Sequence, residues 1–251
     1  MNKRCIASCI ILILLFPSSL PQAQKTVVEK PAAQPESFLE KVLRITGISA
    51  NPSTLKGPGD EVTTGEVWLA ELSSKKTRKL TPSGGYRSPI FLSNGDVLVL
   101  RRTDVVRLTI ADAQPRMLYT ISGADKLVGF SQANPDQILM LLEDPEGHPS
   151  VGLLSLASGK VSPLPYDLKS ETDRQMLEHL QGWTRNYGDV TVYVKHQTKQ
   201  AISGPLDWTD VFLASGAASA VDVSQCSPVN CGQPSLSADR HLLVFIRSDA
   251  D

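Results

Sequence analysis

The stretch Pro89-Ile90-Phe91-Leu92-Ser93-Asn94-Gly95-Asp96, continued by Val97-Leu98-Val99-Leu100, decides the fold class. It reads as a strand, a polar turn and a second, mostly apolar strand. Aliphatic and β-branched residues suit a pleated, packed surface, while Ser93 and Asp96 can satisfy backbone donors in a tight turn. The same hairpin returns as Gly129-Phe130-Ser131, Asn134-Pro135-Asp136 and Ile138-Leu139-Met140-Leu141. A third copy is Gly182-Trp183-Thr184, Tyr187-Gly188-Asp189 and Val190-Thr191-Val192-Tyr193-Val194. The fourth is Pro234-Ser235-Leu236-Ser237-Ala238-Asp239 before Leu242-Leu243-Val244-Phe245-Ile246. Each carries a hydroxyl residue at the turn entry and an Asp near its exit.

A second half-repeat interleaves with the first: Glu66-Val67-Trp68-Leu69-Ala70-Glu71-Leu72, Asp104-Val105-Val106-Arg107-Leu108-Thr109-Ile110, Val151-Gly152-Leu153-Leu154-Ser155-Leu156 and Asp210-Val211-Phe212-Leu213-Ala214. A further short strand follows each, weakest after the last, where it is Ala220-Val221-Asp222-Val223. Two hairpins per unit make four antiparallel strands, which is a β-propeller blade. A β-sandwich with Ser/Asp turns is the competing reading of short alternating strands.

Three further stretches carry a family resemblance: Thr77-Arg78-Lys79-Leu80-Thr81-Pro82, Gly84-Gly85-Tyr86-Arg87-Ser88-Pro89 and Pro234-Ser235-Leu236-Ser237-Ala238-Asp239-Arg240. They resemble the TolB-like propeller repeat and, more distantly, the propeller domains of prolyl-oligopeptidase-type peptidases. The match runs from about residue 42 to 251 and is degenerate in the middle copies. What the resemblance implies is an all-β propeller acting by binding. Peptidase activity does not come with it, because the catalytic serine of those enzymes lies in a separate hydrolase domain.

The pattern begins with an outer pair of strands, residues 66–81, and ends with an inner pair, residues 232–247. The two ends are therefore expected to share one blade and close a ring of four, leaving no open sheet edge. The apolar residues 42–48 are left over, as an extra strand in the closing blade or the remnant of a fifth. An incomplete ring in a fragment is the remaining alternative.

Lys3 and Arg4, followed by an apolar core from Ile10 to Phe16, read as a secretory signal with cleavage near Ala23 or Gln24. An uncleaved anchor competes with it. The domains are then a signal peptide at 1–24, a flexible linker at 25–41 rich in Pro and Ala, and the propeller at 42–251. Later runs are too short to span a bilayer, so no transmembrane segment is expected in the mature protein. Periplasmic or secreted localisation follows, with a protein of the cell envelope as partner. The 251 residues carry 25 Lys plus Arg against 26 Asp plus Glu, with no positive excess for phosphates, which argues against nucleic acid.

Catalytic motifs are missing: there is no nucleophile elbow, zinc-protease pair, Walker loop or dinucleotide fingerprint. His148, His179, His196 and His241 lack ligand spacing, and the acidic stretches 57–61 and 143–147 lack the alternation of a calcium loop. Neither catalytic residue, metal nor cofactor is expected. The alternative function is a hydrolase or lyase acting on a glycan or peptide at the channel mouth through Asp96, Asp136 and Asp189. Recurrence of Asp at one position of successive repeats instead marks a structural turn residue. Cys226 and Cys231, the only cysteines outside the leader, are expected to form a disulfide.

One insertion stands out. Ser170-Glu171-Thr172-Asp173 looks like a capping box, and Met176, Leu177 and Leu180 fall at helical spacing, which predicts a helix over 171–180. Trp183, Arg185 and Tyr187 follow it, residue types that anchor interfaces when exposed. Trp183 has a competing place between blades, like Phe91 and Phe130. Arg185 and Tyr187 are expected in the turn, open to a partner.

Overall fold

Alternate residues of a strand face opposite ways, so a strand apolar at every position must be covered on both faces. That condition shapes the molecule. The computed structural model describes Lys41, residues 62–131 and residues 133–248. The leader, nearly all of the linker, the run at 42–48 and the acidic stretch 57–61 lie outside the described residues.

Strands β1 (Glu66–Glu71) and β2 (Lys76–Lys79) open the described chain, and β15 (Cys231–Leu236) and β16 (Leu242–Arg247) end it. They form one antiparallel sheet of order β15-β16-β1-β2, here the shared sheet. Its joining register runs from Glu66 opposite Arg247 to Glu71 opposite Leu242. The second sheet holds β3 (Tyr86–Phe91), β4 (Val97–Arg101), β5 (Asp104–Leu108) and β6 (Pro115–Thr120) in sequence order. The third holds β7 (Ala124–Phe130), β8 (Gln137–Glu143), β9 (Pro149–Ser155) and β10 (Val161–Leu164). The fourth holds β11 (Arg185–Tyr187), β12 (Val190–Ala201), β13 (Gly204–Ser215) and β14 (Val221–Asp222). All four sheets are four-stranded and antiparallel.

Three apolar clusters join the sheets in turn. Val97 and Val99 of β4 pack with Val67, Leu69, Val244 and Ile246 of the shared sheet. The alternate residues Leu98 and Leu100 pack instead with Leu127, Ile138 and Met140 of the third sheet. Leu243 and Phe245 of β16 face the other way again, onto Val190, Val192, Val194 and Val211 of the fourth. The central strands are thus buried on both faces, which is why 97–100, 138–141 and 242–246 read as unbroken apolar runs.

Between the third and fourth sheets the scheme changes. Helix α1 (Glu171–Gln181) lays Leu177 and Leu180 on Val128, Leu139, Leu141 and Val151 of the third sheet. Its first turn is capped by the Ser170 hydroxyl, which accepts from the Asp173 N–H at 3.4 Å. Strand β12 alternates Val with Thr191 and Tyr193: the valines join the core against the shared sheet, and Tyr193 stacks on Phe212 with ring centroids 5.9 Å apart. No helix among the described residues is long and apolar enough to cross a membrane.

The inner strands bend at bulges. Pro89 and Pro234 cannot donate to a ladder, and β3 and β15 each shift register where they sit. The residue before each proline, Ser88 or Gln233, takes a left-handed backbone with φ of 52° and 53°. Two readings of the third repeat need correction. Arg185 and Tyr187 lie in strand β11 and not in the turn, which is Gly188-Asp189, because the connector after α1 uses Gly182 to Thr184 to reach the sheet. Strands β12 and β13 also run well past the expected hairpin, pairing as far as Ala201 opposite Gly204.

Candidate functional site

Each sheet contributes its first strand to a common cavity of about 350 Å³. Ile90 and Phe91 end β3, Val128 to Phe130 end β7, Arg185 and Tyr187 come from β11, and Ser235 and Leu236 end β15. Arg240, in the turn after β15, completes the rim. A second cavity lies among Arg87, Ser88, Asp125, Lys126, Trp183 and Gln233, at the other end of the same strands.

Of the three residues singled out in the sequence, Arg185 and Tyr187 line the first cavity and Trp183 lines the second. Arg185 is only 8% exposed. Its Nη1 donates to the Gly182 carbonyl at 2.5 Å and the Thr184 carbonyl at 3.2 Å. Burial pushes its guanidinium below the usual range, and Tyr187 opposes the shift. Trp183 is half-buried between cations, with Lys126 Nζ 3.4 Å from the ring centroid and the Arg185 guanidinium at 6.0 Å. Lys126, 4% exposed, also donates to the carbonyls of Gln181 and Gly182. The carbonyl end of α1 therefore draws in two buried cations, as the helix dipole favours. Sequence reasoning passed over Lys126, since a lone lysine in β7 gives no sign of the distant helix end it meets.

Tyr187 turns its hydroxyl oxygen to the backbone of the shared sheet, accepting from the Leu236 N–H at 3.1 Å. Beyond it the exposed Arg240 donates to Asp189 at 2.6 Å, and that hydrogen bond holds the Asp189 carboxyl below its ordinary range. Arg240 was quoted only as part of a repeat, and its ion pair to the neighbouring hairpin could not be read from it.

Of the acids of the catalytic alternative, Asp96 and Asp189 have their carboxylates bonded to arginines, and Asp136 is held in its turn through its backbone N–H. Asp96 accepts from Arg107 Nε at 2.6 Å and from Asn94 at 3.1 Å, while the Asp136 N–H donates to Asn134 at 3.2 Å. Asp144, Glu146 and His148 could present three ligand atoms within 4.8 Å of one another. All three are exposed, and Asp144 Oδ1 already accepts from the N–H groups of Glu146 and His148, the bonding of an Asx turn.

Cys226 and Cys231 are joined in a disulfide, with Cα atoms 6.1 Å apart, and both are fully buried. The loop is tied back to β13, where Asp210 accepts from the Cys226 N–H at 2.6 Å and from Trp208 at 2.6 Å.

Strand order and cores define an all-β protein of four four-stranded antiparallel sheets whose first strands share cavities, a propeller-like layout. Among solved structures the chain is similar to TolB from Acinetobacter baumannii, at 13% identity and a TM-score of 0.32, over 80% of this chain and 49% of that one. It is also similar to a structure from Agrobacterium tumefaciens that carries the TolB name, at 14% identity and a TM-score of 0.33, over 71% of this chain and 59% of that one. The chain thus spans between about half and three fifths of the length of either. No family model matches the chain, and no curated protein matches it. At such TM-scores the blade reading stands on the chain's own strand order.

Proposed function

We propose that the chain is an exported, non-catalytic interaction scaffold of the TolB-like propeller type. Its ring of four blades closes through the shared sheet, and it receives a protein partner of the cell envelope at the cavity where β3, β7, β11 and β15 end. The observation that carries this reading is that first strands from all four sheets line that one cavity, with Arg185, Tyr187 and Arg240 among them. A rigid rim fed by several elements is how propellers present binding groups. Support for export comes from the basic and apolar leader and from the Cys226–Cys231 disulfide, which suits an oxidising compartment. The turn bonding of Asp96 and the ion pair of Asp189 weigh against the hydrolase or lyase alternative.

Site-specific photo-crosslinking tests the proposal. A photoreactive residue in place of the exposed Arg240 should give a discrete adduct with one envelope protein in the source cells. The same residue in place of Thr77, on the outer strand β2, should give none. Absence of an adduct at position 240, or equal labelling at both positions, would overturn the reading.

A further inference from the structure

A buried charge is as a rule paired or neutralised, since a low-dielectric surrounding penalises an isolated ion severely. Arginine cannot escape by losing its proton. Arg185 breaks the rule: it is 8% exposed, yet makes no ion pair with any described residue. Both hydrogen bonds of its side chain come from Nη1, so Nε and Nη2 have no partner among the described residues. The side chain lines the cavity, and no carboxylate does.

Helix capping accounts for one edge of the guanidinium, Nη1, and not for Nε and Nη2. Gly182 O, which Arg185 reaches, also accepts from Lys126 at 2.8 Å, so an ammonium already serves the end of α1. The rest of the cavity adds donors. Arg240 brings a second guanidinium, one nitrogen of which is taken by Asp189, and the Tyr187 hydroxyl, whose oxygen accepts from Leu236, keeps its own proton to give. Ile90, Phe91, Val128 and Phe130 line the same cavity, with the Ser235 and Ser237 hydroxyls beside them, so the site offers apolar surface to the body of a ligand as well as donors to its charge.

We infer that this cavity is an anion site for a carboxylate attached to an apolar body, with Arg185 as its buried receptor. The inference deepens the proposed binding role and rests on it for the choice of site. An exposed or terminal carboxylate of a partner protein, next to an apolar residue, and a free organic acid share this chemistry. A guanidinium offers a carboxylate two parallel N–H donors, and Nε with Nη2 is the pair left open.

Phenylacetate is the probe, with phenylacetamide and inorganic phosphate as comparisons, titrated into the full chain and followed by calorimetry and by NMR of the arginine Nε–H groups. Phenylacetate should bind saturably and shift the Arg185 Nε–H, while the other two should not. Arg185→Met keeps apolar volume and removes the charge, and should weaken phenylacetate at least about tenfold, the worth of a charge-assisted bond, without lowering the melting temperature. Equal binding of phenylacetamide or phosphate would overturn the inference, as would unchanged binding in folded Arg185→Met. Should that variant fail to fold, an unmoved Arg185 Nε–H in the wild type would overturn it equally. Loss of the position-240 adduct in Arg185→Met assigns the carboxylate to the partner protein, and its survival assigns it to a free acid. A chain that gives no adduct yet binds phenylacetate through Arg185 would sink the scaffold reading alone.

Discussion

Gln233 shows how much a single side chain can carry. It is 2% exposed and sits at the bulge of β15 in a left-handed conformation. Its Oε1 accepts from the Ser88 N–H at 2.6 Å, and its Nε2 donates to the carbonyls of Val62 and Thr63. One amide thereby satisfies backbone groups of β3 and of the segment entering β1, groups that burial would otherwise leave without partners. Gln233→Ala should lower unfolding stability by about 2–3 kcal/mol, as stranded buried donors and acceptors do, and urea denaturation would measure it. Nothing near position 233 in the sequence announces this, because the partners lie at 62, 63 and 88. Pro89 and Pro234 were visible as repeat markers for a local reason, the missing N–H that a bulge tolerates. Arg185 was noticed as a residue type, but its burial was not readable, since that depends on where α1 ends.

At the scale of elements, the apolar runs at 97–100 and 138–141 and the residues from Val190 to Val194 were legible as packed strands; which face meets which sheet was not. The helix was legible through its cap and its Met176, Leu177 and Leu180 spacing; its role in covering the third sheet was not. Periodicity gives a face and no partner for it. Leu180 is fully buried against that sheet, so Leu180→Ala should cost about 2–4 kcal/mol by transfer and cavity terms. Because α1 presents Gln181 O to Lys126, the same change should also alter the fluorescence of Trp183, which Lys126 covers. Trp183→Phe would remove that signal and serve as the check.

For the whole molecule, the sheet shared by the two ends of the described chain is where acid should act. Glu66 accepts from Lys79 of β2 and from Trp68 at 3.1 Å, and the Arg247 guanidinium of β16 lies 4.8 Å from the Trp68 ring centroid. Burial by itself raises the Glu66 carboxyl, but the bonds from Lys79 and Trp68, with the charges of Lys79 and Arg247, outweigh it and leave the group below its usual range. A carboxyl lowered on folding contributes stability above its unfolded pKa and loses it as pH falls through the folded one. Glu66→Gln should therefore cost about 0.5–1 kcal/mol at neutral pH, the scale of a screened ion pair, and nothing near pH 2. Paired melting curves of both proteins at the two pH values would test this.

The same sheet also sets an order in time. Strand β1 leaves the ribosome early and finds its neighbour β16 only when the last described residues arrive. Until then the edge of β1 that β16 will cover has a row of backbone groups open to stray pairing, although Val67 and Leu69 can already pack on the second sheet. Partners so distant in sequence must meet late. Strands β15 and β16 therefore work as a latch on β1: a chain without β16 leaves that sheet unmade and β1 without its neighbour.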